Sequence, residues 1–329
     1  MNIERTCFPM ASTPATQAVA AFGSLNGKNE DPVTISYGGQ QIEVTTVSDV
    51  TMFLGITAKR TWDYLILLAT KYNNNAGDWT NDTVRFKLED YMSYIGVENN
   101  RKTRSKYYEI LRDDIKKLGM LHIRVGESME IFGLLADLTL RKTDGKRATK
   151  ADIVNGRGYF DVSLPSKLMA HFRECRYIMP FFTDLVQLVG QSENAYAIGK
   201  RLLWHFSMAS NAGKENRCRL KVSTLLNCCP ELRSERTDNI RARFEKNMAL
   251  LSEVRPGKVS PLIDWNYCYQ GELLTAKELK AKRVSYDDWC DLTIHFTILG
   301  YDSDWSCDES LDTAYGLQLT HEKENKTKQ

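Results

Sequence analysis

Apolar residues along the chain recur at two spacings, and these mark out its elements. In "TAKRTWDYLILLATKYN" (57–73) Trp62, Leu65, Leu68 and Ala69 share one face, which predicts an amphipathic helix. "VRFKL" (84–88) alternates as a short strand, and "EDYMSYIG" (89–96) reads as a short helix stopped by Gly96. The stretch "NNRKTRSKYYEILRDDIKKLGML" (99–121) follows, with a cap expected at Asn99 or Asn100 and an inward stripe at Tyr108, Leu111, Ile115 and Leu118. "MLHIRV" and "MEIFGLL" alternate or run apolar around Gly126-Glu127-Ser128 and predict a hairpin. An earlier hairpin is expected over 33–46, where two β-prone runs flank Gly38-Gly39. Residues 1–32, rich in Ala, Ser, Thr, Gly and Asn, show little periodicity and read as a flexible N-terminal arm.

The second half repeats this order. Helix is predicted over 194–210, strand over 218–222, a short helix over 223–229 and a longer one over 234–254. "LIDWNYCYQ" and "WCDLTIHFTIL" then read as the two strands of a hairpin. Phe86, Leu88, Tyr91 and Met92 fall 134 residues before Leu220, Val222, Leu225 and Leu226, and Leu111, Ile115 and Leu118 fall 133 before Phe244, Met248 and Leu251. Agreement of element type, order and spacing points to internal duplication. Helix, strand, helix, helix, hairpin is the order of the winged variant of the helix-turn-helix, whose third helix enters the DNA major groove. The expected fold is therefore α+β, with two tandem winged-helix domains at 33–140 and 159–302. A basic linker (141–158) joins them, and a polar C-terminal tail (303–329) follows.

Charge sharpens this picture only locally, because the 329-residue chain has a formal net charge of +2. Arg101, Lys102, Arg104 and Lys106 crowd the start of the first long helix, with Ser105 among them and no acid. Cations at a helix N-terminus disfavour the helix by about 0.3–1 kcal/mol each, whereas that same end attracts phosphate. At 100° per residue Lys102 and Lys106 point away from the apolar stripe, so DNA contact is expected there; a solvated helix face is the plain alternative. On the second long helix the candidate DNA contacts are Arg236, Asn239, Arg241, Arg243 and Lys246. Residues 233–246 hold five cations against three acids, so ion pairing along the helix surface is the competing reading. Asn can bond adenine and Arg guanine bidentately in the major groove. Between the last two strands Lys280, Lys282 and Arg283 suit phosphate or minor-groove contact from a wing, or the wet side of an exposed helix. The stretch 141–150 carries five cations against one acid, as a solvated loop or a backbone-phosphate contact would.

These segments, above all "TAKRTWDYLILLATKYN", "VRFKLEDYMSYIGVENNRKTRSKYYEILRDDIKKLG" and "DDWCDLTIHFTILGY", resemble the tandem winged-helix replication initiators of plasmids and related mobile elements. The resemblance covers roughly residues 50–300 and rests on pattern, without a catalytic signature. It implies that both domains bind repeated origin sequences, that base reading falls to 101–106 and 236–246, and that the first domain supports a homodimer that represses the initiator's own promoter. The mixed charge of the second long helix departs from the strongly basic helix the resemblance implies.

Enzymatic readings find no footing. None of the Gly-Lys pairs, at Gly27, Gly145, Gly199, Gly213 and Gly257, is followed by Ser or Thr, so no phosphate loop is completed. The five histidines are too scattered for the His-x-His of a rolling-circle nicking enzyme, and no Cys/His group has zinc-ligand spacing. No cofactor and no metal are expected. Eight cysteines without a C-x-x-C pair, no secretory signal and no apolar run of about 18 residues suggest a cytoplasmic protein with free thiols and no membrane span. The expectation is a non-enzymatic, sequence-specific double-stranded DNA-binding protein, a plasmid or mobile-element initiator that binds origin repeats and recruits host replication proteins. The alternatives are a winged-helix transcriptional regulator and a protein-interaction scaffold.

Overall fold

The computed structural model describes residues 7–11, 13, 16, 19, 24–25, 33–37, 40–46, 52–73, 79–127, 129–175, 178–211, 215–229, 232, 236–254 and 260–300. The polar tail expected at 303–329 lies outside them. The architecture is mixed, with helices packed on small antiparallel sheets. Strands β1 (Cys7–Ala11), β2 (Ser24–Leu25), β3 (Val33–Tyr37), β4 (Gln40–Thr46) and β5 (Met52–Phe53) precede helix α1 (Ile56–Tyr72). Next come β6 (Thr83–Phe86), α2 (Leu88–Tyr94), α3 (Arg101–Gly119), β7 (Leu121–Val125), β8 (Met129–Phe132), β9 (Asp137–Lys142), α4 (Lys150–Val154) and β10 (Gly158–Ser163). Helix α5 (Ser166–Cys175), β11 (Ile178–Phe182) and α6 (Asp184–Leu188) connect to α7 (Glu193–Asn211). The chain closes with β12 (Arg219–Lys221), α8 (Val222–Leu226), α9 (Thr237–Ser252), β13 (Ile263–Tyr269), β14 (Glu272–Leu274), α10 (Ala276–Ala281), α11 (Tyr286–Asp291) and β15 (Thr293–Ile298).

Two sheets share one strand order. In the first, β6 pairs with β10, which pairs with β9; in the second, β12 pairs with β15, which pairs with β13, and β14 extends the edge. Each sheet thus sits beside a long helix, a short helix and a second long helix: α1, α2 and α3 in the first unit, α7, α8 and α9 in the second. Phe86 of β6 and Phe160 of β10 stack at 5.3 Å, and Tyr64 of α1 meets Phe86 edge-on at 5.2 Å, which fastens the first sheet to its leading helix. In the second unit Trp289 of α11 is fully buried and packs edge-on against Phe244 of α9.

Three expectations need correction. Residues 141–158 are not a linker, because Leu138 and Leu140 alternate in β9 as Phe160 and Val162 do in β10, and the two strands pair from Gly158↔Lys142 to Ser163↔Asp137. The basic run is the connection within that hairpin, and the first sheet closes at residue 163, beyond the expected domain boundary. The hairpin of β7 and β8 forms as predicted, but it joins the hairpin of β3 and β4 in a separate four-stranded sheet. Part of the expected arm is ordered: β1 pairs with β11, buries Met10 and packs on α1, while β11 packs on α7. The second half also departs in detail, since Cys290 and Trp289 lie in α11 and the last strand begins only at Thr293.

The buried apolar residues form one contiguous cluster through both units rather than two separate cores. At its centre α1 faces α7 across a buried polar contact. Lys200 donates to Asp63 at 2.6 Å, each side chain being 1% exposed, and Tyr196 donates its hydroxyl to the same carboxylate. Burial raises the Asp63 carboxyl above its usual range, against the pull of Lys200. Glu193, the first residue of α7, accepts from Lys59 at 3.3 Å and from the Ile56 amide at 3.2 Å, which ties together the N-terminal ends of the two helices. Gly199 of α7 has a purely steric role: a Cβ there would overlap Leu185 of α6.

Removing one partner of a buried ion pair strands the other charge, which costs about 3–5 kcal/mol. Lys200→Met is therefore expected to lower unfolding stability by about that amount, and adding Asp63→Asn should recover most of the loss. Chemical denaturation of both variants checks this. An equal loss in the single and double variants would contradict the stranded-charge account.

Candidate nucleic-acid interface

Helix α3 begins at a cap that the sequence dictates: the Asn100 side chain accepts from the Thr103 amide at 3.0 Å. Before it, α2 ends as Gly96 turns the chain at φ +69°. Tyr108, Leu111, Asp114, Ile115 and Leu118 bury the inner face of α3. Asp114 faces α1, accepting from Thr57 at 3.0 Å and Thr61 at 3.1 Å. Burial there pushes its pKa up to about 7, more than the two hydroxyls pull it down.

The cations at the start of α3 divide into two groups. Arg101, Lys102 and Lys106 are exposed, and Lys106 lies over the Tyr107 ring at 5.8 Å. Ser105 is half-buried beside them. Arg104 is engaged within the protein. It donates to Asn99, to Glu89 at 3.2 Å and to the Val154 carbonyl at 3.4 Å, so it fixes the start of α3 to α2 and to the end of α4. Position 104 lies seven residues before Leu111, on the inward stripe at helical spacing, and that signal was available in the sequence.

The 141–150 cations are largely paired. Arg141 meets Asp161 at 3.3 Å, Lys142 meets Asp152 at 3.2 Å, Lys146 meets Asp144 at 3.3 Å, and Lys150 bonds Glu109 of α3. Asp152 is held at a pKa of about 2, first by the Thr149 amide and hydroxyl and then by Lys142. Arg112 and Lys150 flank the Tyr108 ring at 5.8 and 5.5 Å, and with Arg141 and Arg147 they line a groove of about 780 Å³ between α3 and β9. The sequence marks Arg147 only as one of the cations of the 141–150 run, and sequence reading passed over Arg112. The four-residue step from Tyr108 to Arg112 was its one signal.

On α9, Arg236, Asn239, Arg243 and Lys246 are exposed. Arg241 instead packs inward. Its Nε donates to Glu245 at 3.1 Å, and its guanidinium lies 5.9 Å from the Trp289 ring centre. Glu245 also accepts from Tyr267 at 3.2 Å, and the Tyr267 hydroxyl accepts from the Trp289 indole at 3.1 Å. The expected helix-surface ion pairing is thus realised at Arg241 and Glu245.

Lys280, Lys282 and Arg283 are exposed, but they do not sit at a hairpin tip. The tip is Gln270-Gly271, both at positive φ as a tight two-residue turn requires, and it joins β13 to β14. Lys280 belongs to α10, which Thr275 caps through a reciprocal bond with Glu278 and which the buried Leu279 anchors. Lys282 and Arg283 follow in the turn after it. Among the described residues no group of three or more His, Cys, Asp or Glu is placed to hold a metal ion. No helix among them is long and apolar enough to cross a membrane.

No protein-family model matches the sequence, and no curated protein matches it. Solved structures do show a likeness. The selenomethionine derivative of domains 2 and 3 of RctB is similar at TM-score 0.47 with 12% identity, over 86% of this chain and 98% of that chain. A second structure of RctB domains 2-3, residues 155–483, is similar at TM-score 0.41 with 11% identity, over 86% of this chain and 96% of that chain.

Arg104→Ala removes a charged donor from Glu89 and Val154, a loss of about 1–3 kcal/mol. It should also speed backbone hydrogen exchange in α4. Lys102→Ala, which breaks none of these contacts, should leave stability within about 0.5 kcal/mol. Equal stability of the two variants would show that Arg104 does not anchor the hairpin connection.

Proposed function

We propose that the chain is a non-enzymatic, sequence-specific double-stranded DNA-binding protein with two winged-helix units related by duplication, and that it initiates plasmid-type replication in the cytoplasm. One observation carries this reading: the three-helix arrangement recurs on the same strand order, and in each unit the second long helix turns exposed cations outward from its start. In this reading α3 and α9 enter successive major grooves. Lys102 and Lys106 meet phosphates or guanine edges, and Arg236, Asn239, Arg243 and Lys246 do the same in the second unit. Arg101 and Ser105 border the first contact, and Lys280, Lys282 and Arg283 supply backbone-phosphate contacts. Arg104 and Arg241 act indirectly, by holding the helices that carry the readers.

The initiator role follows from the pattern resemblance of residues 50–300 to the plasmid-type family. Binding at origin repeats strains the adjacent duplex and recruits host replication proteins, and a homodimer represses the initiator's own promoter.

The test is selection of bound duplexes from a random library, with Lys102→Ala/Lys106→Ala beside the wild type. The expected outcome is a defined site that the double variant binds more weakly, with a salt dependence of log affinity shallower by roughly one per lysine removed. Direct repeats of that site should support replication of a linked circle. A site that only silences a promoter would make the protein a transcriptional regulator. Absence of enrichment at low salt would overturn DNA reading and favour a protein-interaction scaffold.

A further inference from the structure

A cleft of about 300 Å³ opens between α1 and the segment that leads from α6 into α7. Thr57, Arg60, Tyr91, Tyr107, Gln187 and Gln191 line it, and Gly96, Gly190 and Gln191 form an exposed rim. Three lysines or arginines are buried among the described residues: Lys59, Arg60 and Lys200. Lys59 faces Glu193 and Lys200 faces Asp63, each within ion-pair distance. Arg60 differs. It is 6% exposed and donates to the Gly190 carbonyl, its Nε has no hydrogen-bond partner, and no described carboxylate pairs with it. The Thr57 hydroxyl is committed to Asp114 and the Tyr91 hydroxyl to Thr61, which leaves the guanidinium as the uncompensated group of the cleft.

A buried charge without a counter-charge is unfavourable, and a cleft that leads to it admits one. We propose that this cleft binds a small oxyanion, the phosphate of an ester or a carboxylate, with Arg60 as its counter-charge and the Gln187 and Gln191 amides as flanking donors. A guanidinium suits either anion, since its planar fork matches both. The occupied cleft joins α1 to the segment that positions α7, and Tyr107 on its wall adjoins Lys106 on α3. The site stands independently of the DNA reading, because binding is measured on the protein alone.

The test is isothermal titration of the full chain with inorganic phosphate and with acetate, each against chloride at matched ionic strength, together with thermal unfolding in the same buffers. Wild type, Arg60→Gln and Gln191→Glu are compared. The Gln191 variant lies on the exposed rim, so it keeps the test valid should loss of Arg60 impair folding. The expected result is saturable one-to-one binding of phosphate or acetate to wild type. Binding should be lost in Arg60→Gln and at least about tenfold weaker in Gln191→Glu, where a carboxylate repels the anion. Saturation by phosphate alone identifies a phosphate ester as the natural ligand class, and saturation by acetate alone identifies a carboxylate. Stabilisation by phosphate that is equal in all three proteins is the general exclusion effect of that salt, and it would overturn the proposal. So would the absence of heat from both anions.

Discussion

The contact between α1 and α7 is what the rest of the structure depends on. Each helix leads one unit, and Asp63, Lys200 and Tyr196 meet between them with almost no solvent exposure. Apolar packing alone tolerates sliding of one helix along another, whereas a buried ion pair with a bonded hydroxyl has one satisfactory register. Glu193 adds a second fixed point by holding Lys59 and the Ile56 amide at the helix starts. The ribbon of β1 and β11 adds a third, since one strand packs on α1 and the other on α7. Together these contacts make one contiguous core out of two similar units.

The positions of α3 and α9 follow from that contact. Asp114 of α3 is held by Thr57 and Thr61 of α1, so the first candidate reading helix takes its orientation from the helix that also defines the interface. In the second unit Ser192, just before α7, donates to Asn247 of α9 at 2.7 Å. Both candidate helices are therefore bound to the central pair by polar contacts at known points. Their outward turns keep cations in solvent, and a duplex can meet these without rearrangement of the core.

Much of this was legible in the sequence. Helical periodicity located α1, α3, α7 and α9 to within a few residues, because each carries a wide apolar stripe. The Asn100 cap and the Gly96 turn were equally readable, since each depends on one residue type in one backbone conformation. The strand pairing was not. Leu138 and Leu140 in β9, and Phe160 and Val162 in β10, are short alternations on either side of a charged run, and composition outweighed pattern there. Pairing is non-local, so nothing in 121–132 revealed that its hairpin would join β4 rather than close the first sheet. For the site, exposure followed from the helical wheel at Lys102 and Lys106. Arg104 and Arg241 are engaged within the protein; the i,i+4 pairing of Arg241 with Glu245 was among the sequence expectations, whereas Glu89 and Val154 meet Arg104, and Trp289 meets Arg241, only in three dimensions.

The central claim is that two reading helices, held in fixed relation by the α1–α7 contact, engage one DNA molecule together. The most direct measurement is affinity for the selected site as base pairs are inserted between its two contacted segments. An insertion of about 5 bp turns one segment by roughly half a helical turn. The account predicts that it lowers affinity to that of a single segment, and that hydroxyl-radical footprints then protect only one. Unchanged affinity and a full double footprint after the insertion would contradict it, because the two units would then read DNA independently or only one would read it at all.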